Sequence, residues 1–256
     1  MTSHMKIIPL SEGSFTIDHT KIFLPFDTAK DDLQQRSRGS LLVEIQPFLV
    51  VTTKDLILLD TGLGFSENGV LQLYNNLALH GYSPGDITKV LMSHLHRDHA
   101  GGLTVTDPYN GLSHLSFPHA DYFINEKELD FALNAGNASY EADRLSILEG
   151  NDHVHLVGDK GMISDYIQHE LSSGHSPYHQ VFWIREGNEV IFFGGDEAPQ
   201  LQQMKTRFVA KYDHDGKKAM ELRQKWWEIS LEEKWEFLFY HDIKTPVYLA
   251  RQIKNQ

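Results

Sequence analysis

The chain has 256 residues, 41% of them hydrophobic, with no Cys and a formal net charge of −12 at pH 7. That length and apolar content support a sizeable core, and the lack of Cys excludes a disulfide scaffold. The negative charge argues against a nucleic-acid partner, and no run approaches the roughly 18 apolar residues of a membrane span.

The N-terminus has no apolar run of signal-peptide length, so the expected compartment is the cytoplasm. Met1-Thr2-Ser3-His4-Met5 has the look of a cloning remnant, residues 1–4, ahead of a natural start at Met5. Met5–Leu10 and Ser14–Asp18 are predicted strands joined by a turn at Glu12-Gly13. Phe23–Gly39, with Pro25 and no clear period, is predicted as loop. Leu41–Thr52 and Leu56–Asp60 are strand runs rich in Leu, Val and Ile. Ser66–His80 has helical spacing at Val70, Leu73 and Leu77 and stops at Gly81.

Val90–Ser93 is the next strand, and it runs into His94-Leu95-His96-Arg97-Asp98-His99. Three imidazoles and a carboxylate this close converge on one point only if the chain turns there, as it does where a strand feeds a short helix. Neutral His nitrogen and Asp oxygen suit zinc and similar divalent ions. Asp121–Asn125 is a predicted strand and Glu126–Ala135 a helix closed by Gly136. His153–Val157, Tyr166–Leu171, Gln180–Arg185 and Glu189–Phe193 form a second strand-rich half, with the hairpin turn at Gly187-Asn188. Asp215–Ser230 is a helix with an Asp cap, and Trp235–Tyr240 is a final strand. No Pro/Gly/Ser linker interrupts residues 1–256, and one domain is expected.

Further metal-binding residue types stand at turns or strand ends: His175, Asp196 and His241. The seven fall into two sets. His94, His96 and His175 can hold one ion, and Asp98, His99 and His241 another, with Asp196 able to bridge through its two oxygens. A bridged metal pair is a hydrolytic device.

These pieces resemble the metallo-β-lactamase superfamily from about Leu41 to His241. The resemblance rests on Leu58-Leu59-Asp60-Thr61-Gly62, the His94–His99 cluster, Gly174-His175-Ser176-Pro177-Tyr178-His179, Gly195-Asp196 and His241. It implies an α/β fold, the αββα sandwich of two mixed sheets flanked by helices. It also implies that Asp60 is not a ligand but accepts the N–H of a ligating His. Within the superfamily the closest likeness is to the branch that opens N-acyl-homoserine lactones. The implied cofactor is two divalent ions, zinc first, with manganese, iron or cobalt as alternatives. The implied reaction is attack by metal-bound hydroxide on the acyl carbon of a lactone or small ester. Asp98, the candidate catalytic residue, would orient the hydroxide and pass its proton to the leaving alkoxide.

One departure stands out. Lactonases of this branch commonly carry a Tyr shortly after the bridging Asp. Here Glu197-Ala198-Pro199-Gln200 follow Asp196, and the first Tyr is Tyr212. Either another donor serves, or the substrate is not an acyl-homoserine lactone. The alternative functions are a phosphodiesterase or nuclease of the same fold and, behind it, a mononuclear-iron sulfur oxygenase. The basic stretch Lys205, Arg207, Lys211, Lys217, Lys218, Arg223 and Lys225 favours the former, although a solvated helix face is the plainer reading.

His179 is a candidate behind the ligands, and His114 and His119 are candidates for touching substrate. His153, His155, His169 and His214 are expected to be structural. Trp226 and Trp227 are expected at the core and the surface of a helix. Phe23, Phe26 and Phe48 are expected in the core, a pocket mouth being the alternative. The expected partner is a small-molecule substrate, with no membrane and no nucleic acid. Oligomeric state stays open, a homodimer included.

Overall fold

The computed structural model describes residues 4–67, 69–107 and 109–251, so residues 1–3 of the expected cloning remnant lie outside the described residues. Two six-stranded sheets dominate the fold. The first runs, edge to edge, through Lys6–Pro9, Phe48–Val51, Leu56–Leu59, Lys89–Leu91, Asp121–Asn125 and Val154–Val157. Its three pairings from Leu56–Leu59 onward are parallel. The second runs through Lys160–Ile163, Ile167–Leu171, Gln180–Glu186, Glu189–Phe193, Glu236–Leu238 and Val247–Leu249. It is antiparallel except where Glu189–Phe193 meets Glu236–Leu238.

The apolar runs of the central strands are continuous because both faces of each sheet are covered. In the first sheet Phe48, Val50, Ile57, Leu59 and Leu91 point inward, against Ile167, Phe182, Ile184, Ile191 and Phe193 of the second. Their neighbours Leu49, Leu58 and Val90 point outward and pack on Leu73, Leu77 and Leu129 of the helices Gln72–Leu79 and Glu126–Asn134. On the other side Val181, Trp183, Val190 and Phe192 meet Met204 and Trp226 of Leu201–Lys205 and Gly216–Glu233. The strand period of two thus feeds three apolar layers, and the result is the expected αββα sandwich. Each side chain fully removed from water here contributes about 1.5–3 kcal/mol.

Several boundaries depart from expectation. The Leu41–Thr52 run divides at Gln46-Pro47 into Leu41–Ile45 and Phe48–Val51, because Pro47 has no N–H for a ladder. Leu41–Ile45 leaves the sandwich to pair with Gly13–Ile17, which also pairs with Leu24–Pro25, inside the segment expected to be loop. The Ser66–His80 helix begins only at Gln72. Before it, Ser66–Glu67 pairs with Val70–Leu71 around a turn at Gly69 with φ +79°. Asp215 caps the long helix as expected, accepting from Lys218 N at 3.0 Å, but the helix continues to Glu233 and stops at left-handed Lys234. Thr104–Thr106, Ser113–Leu115, Lys160–Ile163 and Val247–Leu249 are strands with no expected counterpart. No helix among the described residues is long and apolar enough to cross a membrane.

Candidate metal centre

The strand Lys89–Leu91 ends beneath the pocket, and the short helix Arg97–Ala100 turns the chain back over it. The Ala100-Gly101-Gly102 corner needs its glycines, since a Cβ at Gly101 or Gly102 would collide with the carbonyl of Leu63 or Thr61. That close approach brings the loop after Leu56–Leu59 against the cluster. Asp60 adopts φ +55° there and is fully buried. Its Oδ1 accepts Ser93 N at 2.7 Å, and its Oδ2 accepts Ser93 Oγ and His99 Nδ1, each at 2.7 Å.

The same logic holds three other imidazoles, those of His94, His175 and His241. His94 Nδ1 meets Ser93 Oγ at 3.0 Å. His175 Nδ1 meets Asp213 Oδ1 at 2.9 Å, and His241 Nδ1 meets the Glu44 carbonyl at 2.6 Å. In each ring Nδ1 is the nitrogen with an oxygen partner, and Nε2 is left to face inward. His94 Nε2 lies 2.9 Å from His96 Nδ1, which lies 3.2 Å from His175 Nε2. Asp196 stands between the two sets. Its Oδ1 is 3.2 Å from His99 Nε2 and 2.9 Å from His241 Nε2, and its Oδ2 is 3.1 Å from His175 Nε2. Asp98 Oδ2 is 3.6 Å from His241 Nε2 and 3.8 Å from His99 Nε2.

The donors therefore form two groups, His94, His96, His175 and Asp196, and Asp98, His99 and His241, each able to hold a metal ion. Two observations fit a pair of divalent cations. Ring nitrogens of His94, His96 and His175 converge to within 2.9–3.2 Å, and His99 Nε2 and Asp196 Oδ1 are buried without a hydrogen-bond partner. Burial, reinforced by neighbouring imidazoles, holds His94 and His96 well below the usual histidine range, so both are neutral and free to donate a lone pair. For Asp196 burial works upward, but His241, His99 and His175 outweigh it and keep the carboxyl well below its usual range.

All seven expected ligands come together, and Asp60 lies behind His99. His179 is fully buried, its Nε2 accepting Asp196 N at 3.1 Å. Gly195, at φ +47°, leaves room for that approach, because a Cβ would press on Ser93 and His179. Sequence reasoning missed three supports. Asp213 carries His175. Glu197 is fully buried, and its Oε2 accepts Gly174 N at 3.1 Å and His175 N at 3.0 Å. Tyr240 stacks on His99 with ring centroids 4.0 Å apart and donates to the Asp98 carbonyl at 2.7 Å. Acidic residues directly after Asp196 and ahead of the Asp215 cap were the available signals.

Above the centre lies a pocket of about 620 Å³. Ile17, Leu41, Val43, Phe23 and Phe208 form apolar walls, and Tyr140, Tyr212 and Gln203 add polar groups. Phe23 thus lines the pocket, while Phe48 is fully buried between the sheets. His214, expected to be structural, also lines it. His114 and His119 are exposed and are not among the lining residues. Tyr212, far from Asp196 in sequence, reaches the pocket with its ring 6.2 Å from that of His175. The basic stretch is not one patch. Arg223 is 1% exposed and donates to the carbonyls of Glu197 and Phe208. Lys205 lies over the rings of Tyr248 and Trp227, and Lys217 pairs with Glu221.

Fold and site together define a binuclear-type metallohydrolase scaffold. The family profile of the metallo-beta-lactamase superfamily matches residues 44–226, and the chain belongs to that superfamily. Among characterised relatives, the N-acyl homoserine lactonase AiiA of Bacillus thuringiensis subsp. kurstaki is 25% identical over 230 residues, spanning 80% of this chain and 84% of that protein. The N-acyl homoserine lactonase AttM of Agrobacterium fabrum is 27% identical over 120 residues, 42% of this chain and 40% of its own. A probable metal-dependent hydrolase from Staphylococcus aureus superposes with TM-score 0.77 at 22% identity, covering 96% of this chain and 92% of its own. AidC, a dizinc quorum-quenching lactonase, superposes at 0.72 with 22% identity, covering 100% and 93%.

Proposed function

We propose that this chain is a cytoplasmic, metal-dependent hydrolase of lactones or small carboxylic esters. The observation that carries this reading is the Asp196 carboxylate standing between two His/Asp groups at the base of a half-apolar pocket. The lactonase relatives support the lactone as substrate class. His94, His96 and His175 would hold one divalent ion, and Asp98, His99 and His241 a second, with Asp196 shared and zinc as the proposed metal. Such a pair, when bound, supplies an activated water and a Lewis acid for the substrate carbonyl.

The side chains do the rest. Asp98 faces the pocket and is held through its own carbonyl by Tyr240, so it can take a proton from the attacking water and return it to the leaving alkoxide. Water adds across the C–O bond, and the products are a carboxylic acid and an alcohol. Burial first, with Asp196 and Asp213 adding to it, pushes the Tyr212 hydroxyl up to about 12, so it stays protonated as a donor toward the carbonyl oxygen. We assign to it the role that a Tyr nearer the bridging Asp plays in related lactonases. The apolar walls take up an acyl chain and exclude water.

Elemental analysis of protein purified without chelator, followed by kcat/KM on lactones, p-nitrophenyl esters and bis-p-nitrophenyl phosphate, tests the proposal. Two metals per chain and a preference for lactone or ester are expected. A higher kcat/KM on the phosphodiester would refute it in favour of the phosphodiesterase reading, which has lost its basic patch.

A further inference from the structure

Two cations on the pocket rim have no role in the chemistry above. Lys21 and Arg97 both line the cavity, on the side where the Asp18–Lys21 turn meets the start of the helix Arg97–Ala100. The two are joined, since Arg97 Nη1 donates to the Lys21 carbonyl at 3.4 Å. Lys21 closes that turn at φ +60°, its N–H donating to the Asp18 carbonyl at 3.1 Å. Among the described residues Lys21 makes no ion pair, whereas six other lysines do. Arg97 Nε is buried without a hydrogen-bond partner, the carboxylate of Glu141 standing 3.9 Å away.

Among the described residues Glu141 makes a long ion pair with Arg97, and no acid pairs with Lys21. Asp18 Oδ1 accepts both the N–H and the hydroxyl of Thr20, at 2.9 and 2.6 Å, and Asp213 is taken by His175. Asp98 and Asp196 belong to the metal centre. A guanidinium held by one long ion pair and one long hydrogen bond, beside an unpaired ammonium, suits a carboxylate, which accepts from both.

We propose that Lys21 and Arg97 form a subsite for an anionic group, so that the preferred substrate is a lactone or ester carrying a carboxylate remote from the bond cleaved. The scissile bond in this statement rests on the hydrolase reading, while the anion subsite stands on the rim geometry. Two measurements separate them. The first is calorimetric binding of benzenesulfonate, a poor metal ligand, against its neutral analogue methyl phenyl sulfone, on metal-loaded protein. The sulfonate should bind about tenfold tighter, as expected for one charge-assisted contact. Lys21→Gln and Arg97→Gln should each bring the ratio to within about threefold, and added salt should shrink it in the unsubstituted protein. Both side chains are partly exposed, so both variants should fold, which their melting temperatures check.

The second measurement is the ratio of kcat/KM on mono-p-nitrophenyl adipate to that on p-nitrophenyl hexanoate. It should exceed one by about tenfold and fall in both variants. Equal binding of sulfonate and sulfone, or a preference surviving both substitutions, overturns the subsite. An adipate-to-hexanoate ratio near one, with hexanoate readily cleaved, overturns it while leaving the hydrolase reading intact. Charge-selective binding with neither ester nor any lactone of the panel above cleaved keeps the subsite and removes the hydrolase reading.

Discussion

Replacing Asp60 by Asn tests whether a carboxylate that holds no metal sets the affinity of the centre. The change is nearly isosteric and sits at a fully buried position, so no cavity opens. One oxygen can still accept Ser93 N. The new NH₂ then occupies the place of Oδ2, where two donors, Ser93 Oγ and His99 Nδ1, point at it from 2.7 Å. The serine hydroxyl can rotate and accept, but the imidazole cannot. His99 must swing away or move its proton to Nε2, the nitrogen that faces the centre, and either change spoils it as a ligand. A hydrogen bond to a charged acceptor contributes about 1.5–3 kcal/mol. At roughly 1.4 kcal/mol per decade this is about 10–150-fold in affinity, and it overlaps the roughly 10–100-fold typical of such supporting carboxylates. The assay is titration of the metal-loaded protein with a competing chelator, read by elemental analysis after gel filtration. The Asn variant should lose metal at correspondingly lower chelator concentration. An unchanged titration curve, with unchanged turnover, would reduce Asp60 to a loop-shaping residue and refute the tautomer argument.

Three further outcomes follow from the same geometry. His96→Ala should abolish turnover and lower Tm, because it removes a proposed ligand and metal binding is coupled to folding; Asp98→Asn should cost turnover far more than Tm, and equal losses in both measures would argue against proton transfer by Asp98. Asp213→Ala frees the His175 ring and should lower metal affinity by about tenfold or more in the chelator titration, whereas an unchanged curve would mean that Glu197 and the backbone suffice. Glu12 is buried against Leu63 N, and burial, opposed by the backbone N–H groups of residues 63–65, pushes its carboxyl up to about 7. The folded state therefore binds the proton more tightly than the unfolded state, so this contribution is fully present below the ordinary carboxylate range and fades as pH rises through about 7. Glu12→Gln should flatten the decline between pH 5 and 7.5, worth up to about 3 kcal/mol, and parallel denaturation profiles would refute the assignment.

The His94–His99 cluster, Asp60, His175, Asp196 and His241 were all legible in the chain, because each lies at the end of an apolar strand run or in a glycine-marked turn. The same local signals placed most strands, the Asp215 cap and the hairpin at Gly187-Asn188. Period-two alternation cannot tell which face of a strand meets the other sheet and which meets a helix, as both are apolar here. That division, Phe48 inward and Leu49 outward, was decided by the packing of the sheets. Short strands such as Lys160–Ile163 and Val247–Leu249 carry little pattern and exist because a neighbour offers an edge. The supports of the centre belong to the same class. Asp213 reaches His175, and Tyr212 the pocket, because His214 N and Asp215 N donate to the carbonyls of His175 and Gly174 at 3.0 and 2.7 Å, while buried Arg223 ties the Phe208 carbonyl to the long helix. Nothing in the run from Met204 to His214 announces this. Charge showed the same limit: residues that read as one basic stretch were separated by burial and by aromatic faces, while Lys21 and Arg97, far apart in sequence, meet on one rim, where the Arg97 side chain donates to the Lys21 carbonyl. Ligand type and order follow from local chemistry, and which groups share a pocket follows from how the two sheets close on each other.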